Sequence, residues 1–359
     1  MKRICILILA LLAVLPACKR VIFTPRPTIP LVLSVAADTL GAGRVAAHAG
    51  HHGSQGAIAI IGEPVDGMLL AHRFQTEDNM DNVDGRALRD SLPDFAGETF
   101  DVILDAVSAP YSHFLSEQEN AIGKSSLDSL REAAVINALF AWDSLGLAKV
   151  LIFTSPLQAV YGLFDVDTLQ QLTGGRSHLI SPVKTMLADA AASGARELAV
   201  WASRDVRSSK VYETVFNEMG TEGNLSVITP EQALDARTRF RSLLRQYRST
   251  GRKLDALLLD GFAQDPAPLL SELAMIRQCG TEEDMAFCRM LSPSFVVIDP
   301  LTSVVSATYK LLRRDNLFTH RIHRPMVRYF ETVESASGEI THEEVHAHYA
   351  QQAYVQDFD

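Results

Sequence analysis

Short apolar runs alternate with amphipathic stretches from residue 57 to the C-terminus, and this predicts a two-lobed, parallel-sheet α/β protein. Three observations carry the prediction. The alternation is the rhythm of parallel sheets covered by helices. The stretches between the runs carry helix-start and helix-stop residues. The chain, at 359 residues with 47% hydrophobic and 21% charged residues, is long enough for two packed lobes and unlike a disordered protein.

In chain order, strands are predicted near residues 57–62, 100–105, 149–154, 197–203, 225–229, 255–259, 295–299 and 327–332. Between them, Ser126 precedes a helix over 127–145 with Gly146 after it. Ser181-Pro182 opens a helix that Gly194 closes, and Asp265-Pro266 opens one over 267–277. Leu127, Leu130, Ala134, Leu139, Trp142 and Leu145 approximate one apolar helical face, so Trp142 reads as core. No internal repeat is visible.

The N-terminus carries an address. Lys2 and Arg3 precede an apolar run from Ile4 to Val14, followed by Leu15-Pro16-Ala17-Cys18. As a helix, the fourteen residues from Ile4 to Ala17 would cover about 21 Å against a hydrocarbon core of about 30 Å, too short to span. The tetrad resembles a bacterial lipobox. That resemblance implies cleavage before Cys18, diacylglyceration of its thiol and an acyl group such as palmitate on the new α-amine. An ordinary cleaved signal with an incidental Cys is the alternative. Several acyl chains at about 0.8 kcal/mol per buried methylene make a lasting anchor. The folded part then faces the periplasm or the cell exterior, on the inner or the outer membrane.

The organisation that follows is a signal peptide (1–17), a lipidated N-terminus and flexible tether (18–56), a first lobe (57–179 plus 299–359) and a second lobe (180–298). The tether reading rests on Pro25, Pro27, Pro30, five Gly and no sustained period. Within it His48, His51 and His52 fit either a weak metal site or a histidine-bearing linker. The net charge is −10, and −12 without Lys2 and Arg3, with no basic block; this excludes nucleic acid as a partner and disfavours contact with anionic head groups. Cys5 lies in the removed segment and Cys18 is the lipid acceptor. Cys279 and Cys288 remain, and in an oxidising compartment they are expected to pair, a catalytic thiol being the other reading.

Several segments, in order, resemble glutamate racemase and its amino-acid racemase relatives, a two-lobed α/β family that inverts Cα with a pair of cysteines. The likeness covers about 300 residues. Asp101-Val102-Ile103-Leu104-Asp105 leads into Pro110-Tyr111, where the family has a strand, an Asp and a Pro-Tyr-Gly turn. Ala148-Lys149-Val150-Leu151-Ile152-Phe153-Thr154 resembles the strand before the first catalytic Cys-Asn-Thr, which here reads Ser155-Pro156-Leu157. Ile180-Ser181-Pro182-Val183 resembles the turn that opens the second lobe. The strand near 197–202 with Ser203, Val206, Ser209 and Tyr212 matches the family's Thr-x-x-Thr, Ser and Tyr spacing. Leu254-Asp255-Ala256-Leu257-Leu258-Leu259 resembles the strand before the second Gly-Cys-Thr-His, here Asp260-Gly261-Phe262-Ala263. Val296-Val297-Ile298-Asp299 resembles the Ile-Asp-Ser turn. Where the family has Asp-Ser-Gly-x-Gly-Gly, this chain has Gly62-Glu63-Pro64-Val65-Asp66-Gly67.

The resemblance therefore implies a racemase-type scaffold without either catalytic cysteine. A thiol of reference pKa about 8.5 can be made a base by its neighbours, whereas an unassisted serine hydroxyl cannot. The chain reads as a non-catalytic small-molecule binding or interaction module requiring no cofactor. Its expected ligand is an amino acid or a cell-wall fragment, met by Tyr111, Ser155, Ser203, Ser209 and Glu63. For Ser203 and Ser209, helix capping is the competing role; for Tyr111 it is packing at a Pro turn. The alternatives are a periplasmic solute-binding lipoprotein, an isomerase rebuilt on Glu63 and Asp260, and a zinc hydrolase. The last rests on His342-Glu343-Glu344-Val345-His346, which satisfies H-E-x-x-H but equally reads as an ordinary helix start with Thr341 as cap.

Overall fold

The computed structural model describes residues 27–354, apart from 83, 116–125, 144, 145, 232–234, 320 and 322. The signal peptide and Cys18 lie outside the described residues. Among the described residues, ten strands form two sheets. The first takes β1 (Ile58–Gly62), β2 (Thr99–Leu104), β3 (Val150–Phe153), β4 (His178–Ile180), β9 (Met326–Glu334) and β10 (Ile340–Val345), in the order β10-β9-β2-β1-β3-β4. All its neighbours are parallel except β10 on β9. The second takes β5 (Glu197–Trp201), β6 (Asn224–Ile228), β7 (Leu254–Leu259) and β8 (Leu291–Ile298), all parallel, in the order β6-β5-β7-β8.

The period of two in each strand splits the first lobe's core. Ile58 and Ile60 of β1 join Phe100, Val102, Val150 and Ile152 on one face, beneath α3 (Pro64–Thr76) and α12 (Pro300–Arg314). Phe74 stacks on Phe100 there at 4.7 Å between ring centroids, with Phe95 edge-on at 4.8 Å. Ala59 and Ile61 point the other way, to Leu151 and Phe153, beneath α4 (Ser126–Trp142) and α5 (Pro156–Thr173). Trp142 is buried in that layer. The second sheet packs α6 (Pro182–Ala192) and α8 (Val211–Glu218) on one face. On the other lie α9 (Ala236–Arg248), α10 (Ala267–Ile276) and α11 (Glu282–Met290). Helix starts follow the polar residues before them: Ser181 accepts the Lys184 N–H, Asp235 that of Thr238 and Asp299 that of Thr302.

Two expectations are corrected. Residues 27–56 are not a tether. Two helices, α1 (Pro30–Ala37) and α2 (Ala42–His48), pack on α5 through Val32, Val35, Ala46 and Ala49. The close crossing of α1 and α2 needs Gly43, where a Cβ would meet the Val35 carbonyl at 2.3 Å. Arg131, itself bonded to Asp165, donates to the Pro27 carbonyl at 2.7 Å, and Lys149 donates to that of Ser54 at 3.0 Å. Small residues give a weak amphipathic signal, which is why the sequence reads as linker. His48 and His51 bond separate backbone carbonyls, of Arg44 and Gly174, rather than converging as metal ligands.

The second correction concerns the H-E-x-x-H segment, which is not helical. Thr341 to Val345 run in β10, opposite Val333 to Tyr329 of β9. Extended backbone over four residues puts the Cα atoms of His342 and His346 about 13 Å apart, too far for the two to share a metal ion as on a helix.

Candidate functional site at the carboxyl ends of the two sheets

Parallel strands deliver their following residues to one edge, and there the chain places Glu63, Asp105, Ser155, Ser203 and Asp260 after β1, β2, β3, β5 and β7. Half-buried Glu63 accepts the Tyr111 N–H at 2.7 Å. Tyr111 itself is fully buried, and its hydroxyl donates to Asp105 at 2.8 Å. Burial, with the Asp105 charge second, holds the phenol well above its ordinary range. Asp105 also accepts from Asn137 at 3.0 Å and Thr332 at 3.2 Å. Asn137 bonds His342 at 2.7 Å, and that imidazole stacks flat on Phe140 at 4.0 Å. Burial lowers His342 to about 4, so it is neutral and serves packing. Both polar groups of Tyr111, its backbone N–H and its hydroxyl, are engaged within the protein.

Two further carboxyls face each other across the lobes. Asp66, in the first turn of α3, is raised to about 7 by burial first, then by the charges of Glu63 and Asp260, offset in part by the Phe262 N–H. Asp260 is likewise raised to about 7 by burial, against hydrogen bonds from the Tyr212 hydroxyl, at 2.9 Å, and from the Ser203 backbone. At neutral pH both carry a substantial protonated fraction and serve as donors as well as acceptors.

Of the residues predicted for the ligand, Ser155 is buried at the N-cap of α5 but makes no capping hydrogen bond. Ser203 caps α7 (Arg204–Ser209) by accepting the Val206 N–H at 3.2 Å, and Ser209 donates to the Val206 carbonyl at 2.6 Å. Both hydroxyls are thus engaged by their own helix, Ser203 as its N-cap and Ser209 by bonding back to a carbonyl in its last turn. Gly261 has φ of +99° and nothing within 4 Å of where a Cβ would stand. Cys279 and Cys288 lie away from this edge, on the outer side of the second lobe; both are free thiols, with sulfur atoms 2.8 Å apart.

A groove of about 1210 Å³ opens on the second-lobe side, lined among others by Ser203, Arg204, Thr229, Arg239, Asp260 and Gln264. Its lining follows β6, β5 and β7 and includes α9, so it takes in the β5/β7 boundary where strand order reverses direction, the point at which open α/β sheets bind ligands. The Arg239 guanidinium sits 5.6 Å from the centre of the Trp201 ring. Arg239 Nε and Thr229 Oγ1 are buried without a hydrogen-bond partner. Sequence reasoning missed these two residues because only the strand order identifies the reversal. Among the described residues no group of three His, Cys, Asp or Glu side chains is placed to hold a metal ion, and no helix is long and apolar enough to cross a membrane.

No protein-family model and no curated protein sequence matches the chain. Solved structures do. Glutamate racemase isoform RacE1 from Bacillus anthracis is similar with a TM-score of 0.51 at 15% identity, over 84% of this chain and 94% of that one. Glutamate racemase from Francisella tularensis, solved with D-glutamate, is similar with a TM-score of 0.51 at 11% identity, over 85% of this chain and 96% of that one. The strand orders, the two lobes and this likeness give one conclusion: the chain has the glutamate racemase fold.

Proposed function

We propose that this chain is a lipid-anchored cell-envelope protein whose racemase-type crevice binds a small molecule, such as an amino acid or a cell-wall fragment, without turning it over. The observation that carries the reading is Gly261. Inversion at Cα needs an acid/base group on each face of the carbon. At the end of β7 the position that resembles a catalytic cysteine has no side chain, and space lies open around it. On the other side Ser155 is bonded to no imidazole or amine among the described residues. The binding half of the reading is supported by the groove, by the unpartnered Arg239 Nε and Thr229 Oγ1, and by the two partly protonated carboxyls. A guanidinium for a carboxylate and the ionised fraction of Asp260 as acceptor for an ammonium together suit a zwitterion better than a simple anion.

The anchoring half rests on the Leu15-Pro16-Ala17-Cys18 tetrad, and Cys18→Ser is expected to release the chain from the membrane fraction. In an oxidising envelope compartment the adjacent Cys279 and Cys288 become a disulfide, stabilising by about 2.7 kcal/mol on loop-closure grounds. A thermal-shift screen against D- and L-amino acids, small peptides and cell-wall fragments tests the binding half. A ligand at 100 times its dissociation constant stabilises by about 2.7 kcal/mol, or several degrees. A panel without a hit would instead favour a protein partner on the outer surface.

A second reading, an isomerase rebuilt on carboxyls, is favoured by one observation: Asp66 and Asp260 approach from opposite lobes, each raised to about 7. It requires deuterium incorporation at Cα of a bound amino acid in heavy water, lost in both Asp66→Asn and Asp260→Asn. Binding without incorporation leaves the first reading standing.

A further inference from the structure

Among the described residues, one helix face has no partner. In α1, Val32 and Val35 are buried, whereas Pro30, Leu33 and Ala37 form an exposed row at helical spacing that Leu40 continues in the following turn. Leu33 is 54% and Leu40 86% exposed, the latter the most exposed of the large apolar side chains described. Two independent features say what covers this face.

The first is reach. The start of the described chain is pinned, since buried Arg131 holds the Pro27 carbonyl at 2.7 Å while its guanidinium is clamped by Asp165. Nine residues, 18–26, join that point to Cys18 and can extend no further than about 30 Å. A membrane holding Cys18 is therefore never farther than that from α1.

The second is charge. The chain carries a net −10, yet residues 18–56 contain Lys19, Arg20, Arg26 and Arg44 against a single acid, Asp38. The Asp38 carboxylate is occupied locally, accepting the N–H groups of Gly41 and Ala42 at 2.9 Å each to start α2. The net negative charge that disfavours anionic head groups for the chain as a whole is reversed in this stretch of the sequence. A basic stretch of chain leading into an exposed apolar row is the composition of an interfacial contact with an anionic bilayer.

We propose that the exposed face of α1, with Leu33 and Leu40, rests on the anionic bilayer that holds Cys18. The membrane then covers the α4/α5 side of the first lobe, and the α3/α12 side faces away from it. The proposal rests on the reading of Cys18 as the lipid acceptor.

The test is hydroxyl-radical footprinting of the full mature chain, residues 18–359, on vesicles of phosphatidylethanolamine and phosphatidylglycerol, compared with the unacylated chain in solution. Expected is loss of oxidation at Leu33 and Leu40, while second-lobe Leu270 and Met275, which are 49% and 53% exposed, are oxidised equally in both. Unchanged oxidation of Leu33 and Leu40 on vesicles overturns the proposal, and so does their protection in solution, which would mean a second protein copy covers the face. The mass of the Cys18 peptide reports acylation separately. If it is unmodified, the Cys279→Ser/Cys288→Ser chain coupled through Cys18 to a maleimide lipid puts the face at the same distance from the bilayer. The same two outcomes then decide.

Discussion

At the scale of single residues, burial changes what this chain's acids can do. Asp66 and Asp260 bind protons in the folded protein up to about pH 7, whereas in the unfolded chain they release them near 4. The folded state therefore holds more protons between these values. Their contribution to stability is fully present below the unfolded pKa and is lost as pH rises through about 7. The melting temperature of Asp66→Asn/Asp260→Asn is accordingly expected to fall less than that of the natural chain between pH 5 and pH 8, as calorimetry would read; parallel profiles would mean that the two carboxyls titrate normally. In the sequence Asp260 was paired with Glu63, as the acids of a rebuilt isomerase, and Asp66 had no assigned role. The proximity of Asp66 to Asp260 depends on how two lobes meet. Hydroxyl roles were half legible: Ser203 and Ser209 stand in the predicted spacing, but their own helix takes both.

At the scale of elements, strongly apolar strands and well-capped helices were readable, and weakly apolar or strand-forming polar segments were not. Strand β10 carries Thr341, His342, Glu343 and Glu344, a polar run whose pairing with β9 is supplied by backbone hydrogen bonds and by the stacking of His342 on Phe140. A chelator is therefore expected to leave the melting temperature unchanged, since no pair of imidazoles in this segment approaches a common ion. Helix α1 is the opposite case, a short element that belongs to the core. Val32→Ala, which removes two methyl groups from a wholly buried side chain, should cost about 2 kcal/mol in urea unfolding. An unchanged midpoint would return residues 27–56 to the status of a tether.

At the scale of the whole molecule, the two lobes exchange side chains. Phe262, from the loop after β7 of the second lobe, is buried in the first lobe's core, and Tyr111 of the first lobe joins the apolar cluster of the second. The Tyr161 hydroxyl of α5 also donates to the Ser209 carbonyl at 2.9 Å. Such cross-packing couples the lobes, so calorimetry should show a single transition. Phe262→Ala should lower stability by about 3–5 kcal/mol for the cavity it leaves. Two separate transitions in the natural chain would show that each lobe folds alone. The same interlock shapes the site, because it brings the carboxyl edge of one sheet against that of the other.

The sequence by itself determined the α/β class, the two-lobed order of strands and helices, and the absence of cysteines where the racemase likeness would put its acid/base pair. These properties are local: strand and helix periods, capping residues and residue types are written in contiguous segments. Tertiary structure alone decided that residues 27–56 join the core, that His342 belongs to a strand, and that Tyr111 is spent on Asp105. It alone also raised Asp66 and Asp260 together and opened the Arg239 groove at the strand-order reversal. Each of these depends on burial or on contacts between residues far apart in the chain, and desolvation and long-range packing leave no mark at any single position of a sequence.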